Sequence, residues 1–107
     1  MVKYTLDTTF SALADPTRRA IVARLAAGSL PTSDLAEPFD MTLPGVMKHL
    51  MVLEDAGLVE REKKGRVAWC RLSPEPMKSA VEWIGHYERF WDDRLDALAS
   101  YLSRSRS

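Results

Sequence analysis

Apolar residues before residue 57 recur at helical spacing and fall into four short segments. Side chains separated by three, four or seven positions lie on one face of an α-helix, so each segment predicts an amphipathic helix with one buried side. The apolar positions are, in chain order, Leu6, Phe10 and Leu13; Ile21, Val22 and Leu25; Leu35 and Ala36; and Val46, Leu50 and Leu53. The first half of the chain is therefore predicted to be helical.

Capping and helix-breaking residues set the limits of these helices. The expected boundaries are Asp15 with Pro16 to Gly28 for the second helix, Thr32 or Ser33 to Pro38 and Asp40 for the third, and Thr42 with Pro44 to Gly57 for the fourth. The third and fourth helices are separated by so few residues that residues 32–56 are predicted to form a helix-turn-helix.

After residue 57 the apolar spacing changes from helical to alternating. One strand is predicted from Val67, Trp69 and Arg71, which alternate with Ala68, Cys70 and Leu72. Lys64 and Gly65 are typical of a hairpin turn, so residues 58–72 are predicted to form a two-stranded wing. Residues 60–72 hold five cations and two carboxylates, a local charge of +3 (five minus two), whereas the whole chain is neutral.

Residues 74–102 are predicted to form one long helix with Ser73 as its cap. Its apolar positions cover about half of its circumference, and a domain this small has little surface left to bury them. A helix buried within its own fold is the alternative, but we expect a partner helix from a second copy. The residues assigned to this dimer interface are Leu6 and Phe10 from an N-terminal helix at 1–14, with Trp83, Tyr87, Phe90, Trp91 and Leu98.

The fourth helix carries apolar residues where a solvated face would normally be charged. A helix with such a face, followed by a cationic wing, suits double-stranded DNA, because the helix can enter the major groove while the wing neutralises phosphates. The residues assigned to DNA binding are Thr42, Leu43, Pro44, Met47, Lys48, Met51, Arg61, Lys63, Lys64 and Arg66. Met47 and Met51 have an alternative role in packing beneath the wing. Arg18 and Arg19 are left open between a solvated face and phosphate contacts.

These residues resemble a known family. VMKHLMVLEDAGLV at 46–59, with the basic residues up to Arg66, is similar to the recognition helix and wing of the arsenical-resistance-repressor (ArsR) family of winged helix-turn-helix transcription factors. ADPTR at 14–18 is similar to the opening helix junction of that family, and the resemblance covers about residues 10–102. The last helix, with Phe90-Trp91 and Arg94-Leu95-Asp96, resembles a branch that lacks recognisable metal sites. The resemblance also implies that the first helix joins the dimer interface.

The predicted fold class is mainly α with a small β-hairpin, in the order α-α-α-α-β-β-α, a winged helix-turn-helix that dimerises through its terminal helices. A two-fold dimer requires a near-palindromic operator with half-sites about one helical turn apart. The chain departs from the family pattern at Met47, where a serine is usual, and at Leu43, where a glutamine is frequent. The expected readout therefore moves toward thymine methyl groups and DNA shape, with Lys48 available for guanine or phosphate.

Composition narrows the possible functions. With 107 residues, the chain is expected to be a single domain, 1–107, and 46% apolar with 28% charged residues is ordinary for a globular protein. One cysteine excludes a disulfide framework, and no apolar run is long enough for a signal peptide or membrane span, so a cytoplasmic location without membrane contact is expected. Neutral net charge means that any DNA contact must come from locally placed cations.

No metal, cofactor or enzymatic activity is predicted. Residues 32–40 contain no cysteine, Cys70 is expected to be a small core residue, and His49 is expected to be packed or bonded to phosphate. His86 with Glu82 offers only two ligands where zinc requires four. The chain contains no glycine-rich phosphate loop, no nucleophile elbow and no recognisable nucleophile–histidine spacing.

Two functions remain in play. The first is a homodimeric DNA-binding transcriptional regulator, expected to be a repressor that binds a near-palindromic operator. The second is a winged-helix protein-interaction module that does not bind DNA specifically. The sequence identifies no effector.

Overall fold

The helices and strands form in the order expected for a winged helix-turn-helix. The computed structural model describes residues 6–105, so residues 1–5 of the predicted N-terminal helix and residues 106 and 107 lie outside the described part. The elements are α1 (Leu6–Leu13), α2 (Pro16–Ala26), β1 (Leu30–Pro31), α3 (Thr32–Ala36), α4 (Leu43–Asp55), β2 (Val59–Lys64), β3 (Val67–Leu72), α5 (Pro74–Gly85) and α6 (Glu88–Ser105). The predicted fold class is confirmed, with one added strand and one divided helix.

The core lies between α2, α3, α4 and the wing. Its buried members include Ile21, Leu25, Leu35, Val46, Leu50, Leu53, Leu58, Val59 and Cys70. Each apolar stripe predicted for the second, third and fourth helices supplies at least one of these residues. Burying a side chain of this size contributes about 1.5–3 kcal/mol, so this shared core fixes how α4 is held against the rest of the domain.

The wing belongs to a three-stranded antiparallel sheet in the order β1-β3-β2. Strand β1 pairs Leu30 with Cys70 and Pro31 with Trp69. It was not predicted, because two residues ending in proline give no alternation, and proline is tolerated only at a sheet edge or strand end. The turn of the hairpin is formed by Gly65 and Arg66, one position later than predicted, because Lys64 pairs with Val67.

Local capping explains where α4 begins and ends. The hydroxyl of Thr42 accepts a hydrogen bond from the N–H of Gly45 at 3.2 Å, as predicted. At the other end Gly57 adopts a φ of 77°. The N–H of Leu58 donates to the carbonyl of Leu53, and that of Gly57 to Glu54, both at 2.9 Å. This pair of bonds is a Schellman motif, which turns the chain directly from α4 into β2.

Two other caps differ from expectation. Neither Thr32 nor Ser33 caps α3: the N-cap residue is Pro31, and no side chain caps the helix. The Thr32 hydroxyl instead donates to the carbonyl of Ala68 at 3.2 Å, because the pairing of β1 with β3 brings it beside the sheet. Ser73 does occupy the N-cap position of α5, but its hydroxyl makes no capping bond.

The predicted helix at 74–102 is divided in two. Helix α5 ends at Gly85, and α6 begins at Glu88, with His86 and Tyr87 between them. Glycine in a helix interior is less favourable than alanine by about 1 kcal/mol of helix free energy. The apolar spacing, from which one helix was predicted, contains no information about this break. All α6 side chains from residue 88 to residue 104 are exposed. Within residues 6–105, no helix is both long enough and apolar enough to cross a membrane.

Candidate nucleic-acid interface

Helix α4 presents an exposed face that is mostly apolar. Leu43 is 52% exposed and Met51 54% exposed, and Pro44 and Lys48 are exposed beside them. The opposite side of the helix is the buried stripe of Val46, Leu50 and Leu53. We call the exposed residues Leu43, Pro44, Lys48 and Met51 the α4 face. It contains a single charged group.

Met47 lies between Leu43 and Met51 in the same row of the helix but is less exposed than either. Its side chain is half-buried and packs against the core, as the alternative role considered for it required. The guanidinium of Arg61 on β2 lies 4.0 Å from its sulfur. Met47 therefore fills the angle between α4 and the wing, while Met51, one turn further along, remains free at the surface.

Arg61 also forms an ion pair with α4. Its Nε lies 2.7 Å from Oε1 of Glu54, and both side chains are about two-thirds or more shielded from solvent. Glu54 is two turns after Met47 on the same flank of the helix, so Arg61 holds β2 along that flank. The α4 face lies next to this flank, which places the wing at its border. A phosphate contact by Arg61 stays a prediction, and it would require Arg61 to leave Glu54 for the phosphate.

The cations at the tip of the wing have no such partner. Lys63, Lys64 and Arg66 are exposed, and none of them forms an ion pair with another described residue. Nearer the base of the hairpin, Arg71 is neutralised by Glu60, with its Nη2 at 2.6 Å from the carboxylate. The local positive charge predicted for residues 60–72 is therefore concentrated around Gly65.

The first turn of α4 has little capacity to hold a phosphate through its backbone. The hydroxyl of Thr42 already accepts from Gly45, the carbonyl of Thr42 accepts from the N–H of Val46, and Pro44 has no N–H to offer. Helix N-termini bind anions through such free N–H groups. The groups near this end that remain available to a phosphate are therefore mainly side chains, with Lys48 and the wing as the cationic ones.

Arg18 is half-buried and Arg19 is exposed, and both side chains donate to backbone carbonyls of α1. Arg18 donates from Nε to the carbonyl of Ala12 at 2.6 Å and from Nη2 to that of Ser11 at 3.3 Å. Arg19 donates to the carbonyl of Leu13 at 2.8 Å. These are the last carbonyls of α1, which lack partners within the helix. Both arginines therefore hold the end of α1.

Arg18 is also part of a polar cluster with Asp15 and His49. The Asp15 carboxylate caps α2 by accepting from the N–H of Arg18 at 3.0 Å, and Nδ1 of His49 lies 3.8 Å from it. That backbone hydrogen bond, helped by the neighbouring His49 and Arg18 side chains, lowers the pKa of Asp15 below its usual value. His49 is half-buried on α4 and contacts Arg18 and Asp15.

A second exposed apolar surface runs along α1, α5 and α6. The rings of Phe10 and Trp83 meet edge to face at 5.8 Å between centroids, and Trp83 is 5.3 Å from Tyr87. Phe90 and Trp91 form a further pair at 5.2 Å. The exposed large apolar residues of this surface, which we call the aromatic surface, are Phe10, Trp83, Tyr87, Phe90, Trp91, Leu95 and Leu98. Leu6, also assigned to the interface, is half-buried.

Comparison with known proteins places this geometry in a family. A family model described as a helix-turn-helix domain matches residues 13–62. The regulator Rv2034 of Mycobacterium tuberculosis is 36% identical over 96 residues, covering 90% of this chain and 87% of the relative. The arsenical resistance operon repressor of Escherichia coli is 33% identical over 96 residues, covering 89% and 82%. A crystal structure of an ArsR family transcriptional regulator is 45% identical, with a TM-score of 0.74, and covers 81% of this chain and 90% of that chain. This chain belongs to the ArsR family of transcriptional regulators.

Family membership confirms the resemblance, and this ArsR-family chain is a DNA-binding transcriptional regulator rather than an enzyme. The assignment of individual residues to DNA and dimer contacts stays a prediction. Cys70 is fully buried, as predicted, with its sulfur 3.4 Å from the Thr32 hydroxyl. Among the described residues of this ArsR-family chain, no group of three or more histidine, cysteine, aspartate or glutamate side chains is placed to hold a metal ion.

Proposed function

We propose that this protein is a homodimeric transcriptional repressor in the cytoplasm that binds a near-palindromic operator. The observation that carries the proposal is the α4 face bordered by a wing whose tip cations, Lys63, Lys64 and Arg66, have no ion-pair partner among the described residues. The face can enter the major groove while the tip neutralises phosphates on the adjoining backbone. Repression is supported by the Escherichia coli relative, which is named as a repressor.

The aromatic surface supports the dimer. Helix α6 has 18 residues and is therefore about 27 Å long, yet its described side chains are all exposed in the single copy. Its apolar positions, from Phe90 to Leu102, share one half of the helix with Arg94, whose guanidinium lies over the Phe90 ring at 5.1 Å from its centroid, and Arg89, Asp92, Asp93 and Asp96 occupy the other half. The apolar half continues through Trp83 to Phe10 on α1. An exposed apolar surface of this extent is typical of an interaction site. In a two-fold dimer the same surface of each copy covers that of the other, because a two-fold interface is self-complementary.

A two-fold dimer defines the form of the operator. Two α4 faces related by this symmetry are expected to occupy successive major grooves on one side of the duplex, about 34 Å apart. The bound sequence should therefore be a near-palindrome. Repression then follows from occupancy, because a dimer seated over a promoter blocks access to it.

The wing provides the test of DNA binding. Duplexes are first selected by the parent protein from a random pool, and their Kd is measured by fluorescence anisotropy at several salt concentrations. The variant K64A/R66A removes one lysine and one arginine from the wing tip. Each lost phosphate contact should flatten the dependence of log Kd on log salt by about 0.9, so a dimer should lose about 3.6 in slope.

The control K78A/R89A removes the same residue types from exposed positions of α5 and α6. It should keep the slope of the parent. A parent protein that enriched no duplex, or a wing variant with the parent's affinity and slope, would contradict the proposal and favour a protein-interaction module.

A further inference from the structure

The α4 face contains almost no hydrogen-bonding groups with which to read base edges. Leu43, Pro44 and Met51 are apolar, and Lys48 can only donate. Met47 is half-buried and in contact with Arg61, and the Thr42 hydroxyl accepts a hydrogen bond from Gly45. Adenine is normally recognised by a side chain that donates and accepts together, such as asparagine or glutamine. This face offers no such side chain.

We infer that the protein reads its operator through the C5-methyl groups of thymines, with Leu43 and Met51 as the residues that contact them. Thymine is the only base that presents a methyl group in the major groove, and apolar side chains recognise it by contact. The inference rests on the proposed DNA binding and names the chemistry that this binding recognises. Lys48 lies between these two residues along the helix and is available to donate to a guanine or a phosphate.

The geometry of α4 limits the spacing of the two contacts along the duplex. Leu43 and Met51 are eight residues apart, and the helix rises about 1.5 Å per residue, so they are separated by about 12 Å along the axis. Stacked bases are about 3.4 Å apart along each strand. The two methyl-sensitive positions should therefore lie no more than about three to four base pairs apart within each half-site.

The test replaces single thymines by deoxyuracil, which lacks only the C5-methyl group and keeps the base-pairing edge. Burial of one methyl contributes about 0.8 kcal/mol, or about a fourfold change in Kd. Replacement in both half-sites of the dimer should therefore weaken binding by about 15-fold. Two thymine positions per half-site should show this loss, and the others should show none.

Protein variants connect each position to a side chain. With M51A, one of the two positions should lose its sensitivity to deoxyuracil, and with L43A the other should lose it. Both residues are more than half exposed, so neither truncation opens a cavity. The control is V52A, since Val52 adjoins Met51 in sequence but lies beside Ser11 and Ala12 of α1. V52A should keep both sensitive positions.

Each outcome decides the inference separately from DNA binding itself. If the parent binds its selected duplex equally well after all thymines of the half-site are replaced, methyl readout is wrong and the proposed repressor stands. If deoxyuracil weakens binding equally in the parent, M51A and L43A, these side chains do not contact the methyls, and the inference is also overturned. Failure of the parent to select any duplex would instead remove the proposed function.

Discussion

Nη1 of Arg18 lies 3.3 Å from Nδ1 of His49, and this contact joins the end of α1 to the middle of α4. A guanidinium can only donate, so Nδ1 of His49 is the acceptor when this contact is a hydrogen bond. The same guanidinium holds the carbonyls of Ala12 and Ser11. One side chain therefore connects the helix that carries Phe10 of the aromatic surface with the helix that carries the α4 face.

Replacement of this arginine tests the connection. Arg18→Lys keeps the charge, but an ammonium cannot reach three acceptors arranged for a planar guanidinium. Hydrogen bonds from charged groups contribute about 1.5–3 kcal/mol, so R18K should lower the free energy of unfolding by about that amount. It should also weaken DNA binding at temperatures where the protein remains folded. Urea unfolding and anisotropy measure the two effects.

Arg19→Lys is the matched control, because Arg19 is next in sequence and its side chain bonds only to the carbonyl of Leu13 among the described residues. R19K should cost less stability and leave the affinity for DNA unchanged. Equal effects of R18K and R19K on DNA binding would show that the contact with His49 does not position α4.

The cap of α2 should make stability depend on pH. The pKa of Asp15 is lowered in the folded protein, so its ionised form is favoured by folding. The stabilising contribution is therefore fully present at neutral pH and is lost as the pH falls through the lowered pKa, below 3.8. Asp15→Asn keeps a capping oxygen but cannot titrate. The stability difference between the parent and D15N should narrow as urea unfolding is repeated from pH 7 to pH 3.

Asp93→Asn on α6 controls for the change in net charge, because Asp93 caps no helix. If the difference between parent and D15N were constant over the whole pH range, the ionised Asp15 would make no special contribution to folding.

The elements of the site that could be predicted are those fixed by neighbouring residues. Thr42, Pro44 and Gly57 determine the limits of α4 through contacts within about one helical turn, and the alternation of residues 67–72 determines a strand. Such local preferences depend only on neighbouring residues, and in natural proteins they agree with the overall fold. For this reason the limits of α4 and the hairpin of the wing follow from the sequence.

The features that were missed depend on partners distant in sequence. Arg61 meets Glu54 and Met47 only because the Schellman motif at Gly57 folds β2 back along α4. Arg18 reaches His49, 31 positions away, because α2 and α4 share a core. The sequence assigned Arg61 and Met47 to DNA binding and left Arg18 open, but it could not identify the atoms that these side chains contact. The same reason explains β1, which exists only because β3 offers it a free edge.

Truncation of one exposed aromatic residue should separate the dimer. Trp91 is 58% exposed in the single copy, so Trp91→Ala should leave the fold and its circular dichroism unchanged. Burial of a large apolar side chain contributes about 1.5–3 kcal/mol, and a two-fold interface loses two of them. The dimer dissociation constant should rise at least about a hundredfold. Analytical ultracentrifugation would then detect monomers at micromolar concentration.

Asp93→Ala, on the polar half of α6, is the control and should remain dimeric. An unchanged dimer in W91A would place the interface elsewhere, and the aromatic surface would need another occupant.

Two glycines that end helices should respond oppositely to alanine. Gly57 has a φ of 77°, a left-handed conformation that costs other residues about 1–2 kcal/mol, so Gly57→Ala should destabilise the protein by about that amount. Gly85 is the last residue of α5, and a Cβ there meets no atom within 4 Å. Gly85→Ala should therefore stabilise the helix, by up to about 1 kcal/mol. Thermal unfolding distinguishes the two signs.

The two variants should also differ in their effect on DNA binding. Gly57 directs the chain from α4 into β2, so G57A should disturb the angle between the α4 face and the wing tip and weaken binding while the protein is still folded. Gly85 is at the end of α5, away from the α4 face and from the wing tip. G85A should bind DNA like the parent as long as it remains dimeric. Equal affinity of G57A and the parent would mean that the Schellman motif contributes to stability alone and does not set the position of the wing.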